Sequence, residues 1–403
     1  MDHVDHPKSC SGRYHMMMDK YGKRGKMMVA VGFIFFSIII PSVFGYAIWR
    51  PLTLIHAFTP TASREIYLGA AFVFWVLFNV KVFEELLYCR ELLVLSAFVL
   101  DICMVPTSAL PFVVLYDLMR CVLTTLFSVR LSDMVNQVLG FSILGIALFL
   151  CVLGFYRGTH ISIERIFLKS SKVKRPIKFV QISDVHIGSR LDALPVKMVD
   201  KIIKENPDFV VITGDLIDSH NVEPMDLNEF DKLRKCGIPV YYSIGNHDLW
   251  AGEEYVSELL KYYGIVYLKN RVETIRLKDD EIQFVGIDDV QRVKDFNTIF
   301  ESVEPHIEDG KYTILLHHRP LGYKTVVKTG KVDLQLAGHT HNGQIFPFNM
   351  FIKFFHSKAC GLFNITSGDN RLVLYTHPGS CAWGPHFRTS SKNLITVFTL
   401  SSE

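Results

Sequence analysis

The sequence predicts a multi-span α-helical membrane region followed by an α/β domain. Three observations predict it. Long apolar stretches dominate the first 160 residues and then stop. From Pro176 onward, short apolar runs alternate with segments whose apolar residues recur at helical spacing. Those short runs end repeatedly in Asp, Asn or His. A chain of 403 residues has room for two or three domains. Its net charge of +3, with no Lys/Arg stripe interleaved with aromatics, gives no case for nucleic acid. Eight cysteines form no CxxC pair, so neither a disulfide framework nor a zinc–thiolate site is indicated.

The membrane region follows a basic amino-terminal segment, 1–26. The first apolar run, Met27–Trp49, carries no charge and is long enough for a hydrocarbon core of roughly 30 Å. It exceeds the apolar region of a signal peptide and reads as an anchor, with Pro41 tolerated as a kink. The second run, Ile66–Val80, can extend past Lys81 by snorkelling. The third, Leu92–Tyr116, includes Asp101, an acid that is either functional or turned toward the bundle or the interface. The fourth is Val138–Tyr156. Lys20, Lys23, Arg24 and Lys26 precede the block, and a basic linker, 157–175, follows it with Arg157, Arg165, Lys169, Lys172, Lys174 and Arg175. Loop 50–65 has only Arg50 and Arg64, and loop 117–137 only Arg120 and Arg130. With four spans, the positive-inside rule puts both basic segments and the soluble domain on the cytoplasmic side of a multi-pass protein. The region lacks the paired broken helices of a carrier. It reads as an anchor, with a lipid-substrate pocket between helices as the rival.

In the soluble domain, 176–403, "IKFVQI" precedes "SDVHIG", "DFVVIT" precedes "GDLID", and "IPVYYSI" precedes "GNHD". Likewise "KYTILL" precedes "HHRP" and "VDLQLA" precedes "GHTHNGQ". In α/β sheets ligands gather beyond the carboxyl ends of the strands. Each cluster alone is compatible with ordinary turn chemistry; five in one domain are not. Carboxylate oxygens plus imidazoles suit Mn, Fe or Zn. A carboxylate bridging two such cations about 3.5–4 Å apart serves phosphoryl transfer, and a nearby histidine can protonate the leaving alkoxide.

The motifs "SDVHIG", "GDLID", "GNHD", "HRP" and "AGHTHNGQIFP", in this order, resemble the calcineurin-like metallophosphoesterase superfamily. The tail "YTHPGSCAWGPHFR" is similar to its membrane-associated branch, which includes transmembrane proteins with a metallophosphoesterase domain. The resemblance covers about Lys178 to Leu400 and implies a two-sheet αββα sandwich with a dinuclear metal site at one edge. It implies that Asp184, His186 and His341 hold one ion, Asp215 bridges, and Asn246, His318 and His339 hold the other. His247 takes the place of the catalytic histidine and Asp248 that of the acid orienting it. Of the two adjacent histidines the pattern selects His318, leaving His317 outside the site. Arg388 is a candidate for bidentate phosphate contact, with a surface carboxylate partner as the alternative.

The resulting expectation is a membrane-anchored, metal-dependent phosphohydrolase. It would use two divalent or transition-metal ions, with Mn²⁺ the choice for assay, on a phosphorylated small molecule or a membrane lipid. The bilayer is its expected partner. The alternative is an inactive or regulatory binding module of the same fold, attached to a membrane sensor or carrier.

Overall fold

The computed structural model describes residues 39–55, 60–87, 90–189, 193–218, 222–277 and 279–402. The chain divides into two compact units, Met1–Val152 and Leu153–Glu403. The first unit is helical: α1 Ile40–Leu54, α2 Pro60–Leu87, α3 Arg90–Leu126 and α4 Asp133–Thr159, the last running on into the second unit. Among the described residues two helices are long and apolar enough to cross a membrane, Ala97–Leu126 within α3 and all of α4. The expected third and fourth spans lie in them. The expected second span lies in α2, which is not one of these two. Residues 27–38 of the first span, and the basic segment 1–26, lie outside the described residues. Among the described residues, then, two membrane-length helices stand where four spans were expected. Within this unit Arg50 forks onto Asp117 of α3 at 2.6 and 3.0 Å, and the Tyr46 hydroxyl donates to the same carboxylate. These three residues help to line a cavity of about 460 Å³.

The second unit begins differently from expectation. Residues 157–175 were expected to be a basic linker, but Ile161–Lys169 is strand β1. Its sequence ISIERIFLK alternates well enough to lie along an edge, and it pairs in parallel from Ile161↔Asn393 to Lys169↔Ser401. The strands that follow are β2 Ile177–Ile182, β3 Phe209–Thr213, β4 Val240–Ser243, β5 Ile265–Tyr267, β6 Arg271–Leu277 and β7 Asp280–Gly286. After them come β8 Tyr312–Leu316, β9 Leu334–Ala337, β10 Gly361–Ser367, β11 Asn370–Thr376 and β12 Asn393–Ser401. They form two mixed sheets of six strands, in the orders β1-β12-β2-β3-β4-β5 and β10-β11-β9-β8-β7-β6. The helices are α5 Leu194–Glu205, α6 Asp231–Lys235, α7 Asn246–Ala251, α8 Glu253–Tyr262, α9 Val293–Val303, α10 Tyr323–Thr329 and α11 Phe348–Phe355.

Strands β3, β4, β8 and β9 are buried along their whole length, as parallel strands covered on both faces must be. One core lies between the sheets, where Phe179, Phe209 and Tyr241 meet Phe284, Ile314 and Leu336. Outside the first sheet, Met198, Val199 and Ile202 of α5 pack with Val180, Val210 and Ile212. Outside the second, Phe296 and Phe300 of α9 pack with Val285 and Leu315. The layers run helix, sheet, sheet, helix. Parallel pairing of β2, β3 and β4 in one sheet, and of β8 and β9 in the other, brings their carboxyl ends out together. That shared edge carries the site.

Candidate metal centre

Each of the five strands ends one to three residues before a carboxylate, amide or imidazole. Asp184 and His186 follow β2, Asp215 follows β3, Asn246 follows β4, His318 follows β8, and His339 and His341 follow β9. The turns that present them are bent hard. Asp184, His186, Asp215, His339 and His341 all have φ between 49° and 72°, a region non-glycine residues rarely occupy. Such strain persists only where the surroundings over-determine it, and it clusters at functional sites. Two glycines make the crowding feasible. A Cβ on Gly245 would lie 2.2 Å from Asp215 Oδ1, and one on Gly338 would lie 2.4 Å from Asp184 Oδ2.

The donors assigned to metal form two groups, Asp184, His186 and His341, then Asp215, His318 and His339, with the ligand atoms of each within 4.8 Å of one another; a third such group, His186, Asp218 and His247, shares His186 with the first. In the first group the Nε2 atoms of His186 and His341 face each other at 3.0 Å, and Asp184 Oδ1 lies 3.3 Å from His341. In the second, His318 Nε2 lies 3.2 Å from His339 Nδ1 and 3.1 Å from Asp215 Oδ2. Two imidazole nitrogens so close share at most one proton, so lone pairs converge with a carboxylate on each position. That donor set fits a divalent or transition-metal cation. Orientation is fixed from behind. His318 Nδ1 donates to the Thr213 carbonyl at 2.8 Å, and His186 Nδ1 faces Asp218 at 3.2 Å, which frees Nε2 of both rings for a ligand role.

The charges are arranged to match. Burial opposes ionisation of Asp184 and Asp215, but His341 and His318 outweigh it. Asp184 is held well below the usual carboxylate range, and Asp215 is lowered to about 2. Burial would lower His318 too, yet Asp215 pushes it up to about 10, so a cation taken up here displaces a proton. Burial brings His341 down to about 4. Burial, with His318 and Arg319 beside it, brings His339 to about 2.

Asn246 is buried at the same edge, where Arg319 connects it to the second group. The guanidinium donates to Asn246 Oδ1 at 3.1 Å and to His339 Nε2 at 2.8 Å, and is itself held by Asp289 at 2.8 Å. His317 turns away. Its Nδ1 donates to the Ile287 carbonyl at 3.3 Å, its ring packs edge-on against Phe296, and burial lowers it to about 4.

Two assignments need correction. Asp248 does not orient His247. Its carboxylate accepts the backbone N–H groups of Asp215, Ile217 and Gly245 at 2.7–2.8 Å and so ties together the ends of β3 and β4. Burial and the nearby Asp215 push it up to about 6. The carboxylate against His247 Nδ1 is Asp218, which reaches His186 as well. Burial opposes charge on Asp218, but His186 and His247 hold it well below the usual range. The second correction is Arg388. It is fully buried, and its guanidinium donates to Pro378 O at 2.6 Å, Ser391 Oγ at 2.7 Å, Cys381 O and His341 Nδ1. It braces His341 from behind and offers no surface to a phosphate.

Asp218 and Arg319 lie inside "GDLID" and "HHRP", but spacing alone does not say which side chain faces His247 or Asn246. Two exposed tryptophans also flank His247: Trp250 with ring centroids 4.5 Å apart and Trp383 with 5.6 Å.

Residues 177–343 match the family described as calcineurin-like phosphoesterase. An uncharacterized metallophosphoesterase of Helicobacter pylori is 30% identical over 268 residues, covering 64% of this chain and 70% of its own length. One from Campylobacter jejuni is 29% identical over 250 residues, 60% of this chain and 63% of that protein. The Danio rerio transmembrane protein with metallophosphoesterase domain is 29% identical over 234 residues, 56% of this chain and 53% of that protein. The match thus spans less than two thirds of the Campylobacter and Danio proteins.

Proposed function

This chain belongs to the calcineurin-like metallophosphoesterase family, and from that premise we propose that it is a membrane-anchored, metal-dependent phosphohydrolase. One observation carries the reading: two groups of carboxylate and imidazole donors converge at one sheet edge, with His247 held beside them by a buried carboxylate. Asp184, His186 and His341 would hold one ion, and His318, His339 and Asn246 the other, with Asp215 between them. When bound, two such ions supply positive charge for a phosphoryl group and lower the pKa of water. His247 has Nδ1 engaged by Asp218, so Nε2 is the atom left to give a proton to the leaving oxygen. Asp218 is a positioning residue. Arg388 and the Thr213 carbonyl hold His341 and His318 in place.

Anchoring rests on α3 and α4. The segment between them, residues 127–132, carries one basic residue, Arg130, whereas residues 157–175 carry six. A two-helix hairpin keeps the parity of a four-span block, so either count puts the catalytic unit on the cytoplasmic side under the positive-inside rule. The test of function is hydrolysis by the full-length protein in detergent with Mn²⁺, against an aryl phosphate, a bis-aryl phosphate and a lipid pyrophosphate. Turnover of at least one, abolished by Asp215→Asn, is expected. No turnover of any by folded, metal-loaded protein contradicts the proposal.

A further inference from the structure

Helix α11, FNMFIKFF, begins five residues after the end of the ligand turn His341–Gly343. None of its residues is buried. Phe348, Met350 and Phe351 are more than half exposed, and Phe354 and Phe355 are 86% and 81% exposed. Single exposed apolar residues are ordinary, but five on eight residues form a patch that needs a partner. From Gln344 to Gly361 the chain carries Lys353 and Lys358 and no acid. Exposed aromatics with lysine and no carboxylate is the composition of a helix lying in the headgroup–acyl boundary of an anionic bilayer.

The position of α11 selects the same occupant. Arg157, in the last turn of the membrane-length helix α4, donates to the Thr389 carbonyl at 2.8 Å. Thr389 in turn holds the approach to α11: its Oγ1 accepts the Phe346 N–H at 2.7 Å, and its own N–H donates to the Gln344 carbonyl at 3.0 Å. One residue thus joins the end of α4 to the start of α11. At the other side α11 is fastened to the metal site. Asn349 backs onto Gly343 so closely that a Cβ there would lie 2.5 Å from its Cα, and the His356 ring stands edge-on to His339 at 5.9 Å. The Gln344 side chain also pairs with both backbone groups of Trp383 at 3.0 Å, and Trp383 stands beside His247.

We propose that α11 lies in the headgroup–acyl boundary of the membrane that α4 enters, and that the metal site beside it acts on a phosphorylated lipid in that layer. The second half rests on the phosphohydrolase reading above. An eight-residue helix is about 12 Å long, so a headgroup beside α11 is within a helix length of the donors.

The test uses the full chain reconstituted into phosphatidylcholine vesicles containing phosphatidic acid. A photoreactive benzoylphenylalanine replaces Phe354 or, as control, Tyr262, which is 73% exposed on α8. Cross-linking to lipid at 354 but not at 262 is expected. Equal lipid cross-linking at both, or cross-linking at 354 to a second copy of the chain instead, overturns the docking. In parallel, Phe354→Ser with Phe355→Ser should cut phosphatidic acid turnover at least about tenfold and leave turnover of soluble p-nitrophenyl phosphate unchanged. Equal losses on both substrates, or no loss on either, overturn the link to substrate. If the unmodified protein hydrolyses neither of these phosphates, nor a bis-aryl phosphate or a lipid pyrophosphate, while 354 still cross-links lipid, the phosphohydrolase reading fails and the docking stands. If p-nitrophenyl phosphate is turned over but 354 finds no lipid, the docking fails alone.

Discussion

Asp218→Asn separates the two histidines that one oxygen serves. Asp218 Oδ1 faces Nδ1 of His186 at 3.2 Å and also takes Nδ1 of His247, in a side chain only 9% exposed. Asparagine keeps the shape and one acceptor oxygen but loses the charge. A hydrogen bond to a charged group contributes about 1.5–3 kcal/mol and a neutral one about 0.5–1.5, so each bond loses about 1–1.5 kcal/mol. That is about five- to twelvefold per bond. The loss through His186 should appear as a higher Mn²⁺ concentration for half-maximal activity. The loss through His247 should appear as lower kcat at saturating Mn²⁺, larger for an alkyl phosphate than for p-nitrophenyl phosphate, whose leaving group needs less protonation. The assay is therefore a Mn²⁺ titration on each substrate. Unchanged kcat on the alkyl ester at saturating metal refutes the coupling to His247. If Asp248→Asn instead reproduces the alkyl–aryl difference while Asp218→Asn does not, Asp248 is the orienting acid after all.

Asp248→Asn should act on stability. An amide cannot accept at both oxygens the three N–H groups this carboxylate serves, so about 1–3 kcal/mol is lost, read as a lower urea midpoint with kcat of the folded fraction within a few-fold of normal. A normal midpoint with kcat lowered a hundredfold contradicts this. His318→Ala should lose one metal ion per chain and His317→Ala none, by elemental analysis; the reverse result exchanges their roles. His317 also sets a pH dependence. Burial lowers it from 6.5 to about 4, so the unfolded chain binds the proton that the folded chain refuses between those values. Its contribution is complete above about pH 6.5 and lost as pH falls toward 4, by about 3 kcal/mol. His317→Leu should flatten that slope in urea midpoints between pH 7 and 4.5, and an unaltered slope counts against it.

The two sheets and their order of site motifs were readable because strands buried on both faces appear as uninterrupted apolar runs. Asp, Asn and His at the ends of β2, β3, β4, β8 and β9 stood out because a turn needs none of the histidines. Other features depend on the third dimension. Asp248 follows His247 in sequence, and adjacency suggested a partnership, but consecutive side chains on helix α7 do not face each other. Asp218 reaches His247 only because a bridge between Ile187 and Ile217 lays its loop alongside the β2 turn. Arg388 offers itself in the sequence as a surface cation for a phosphate or a carboxylate, since nothing in "GPHFR" shows that the chain folds over it. Strand β1 is hidden by its charges: Glu164 and Arg165, both exposed, interrupt the alternation between Ile161, Ile163 and Ile166, Leu168. The exposure of α11 was equally invisible, because eight largely apolar residues read as core until their surroundings are known.

The central claim is a dinuclear site, and metal stoichiometry tests it most directly. Full-length protein in detergent, reconstituted with Mn²⁺ and freed of excess ion, should carry two metal ions per chain by elemental analysis. Asp215→Asn should lower occupancy of both positions, because its carboxylate is assigned between them. A folded wild-type protein that retains no metal, or never more than one ion per chain, contradicts the account.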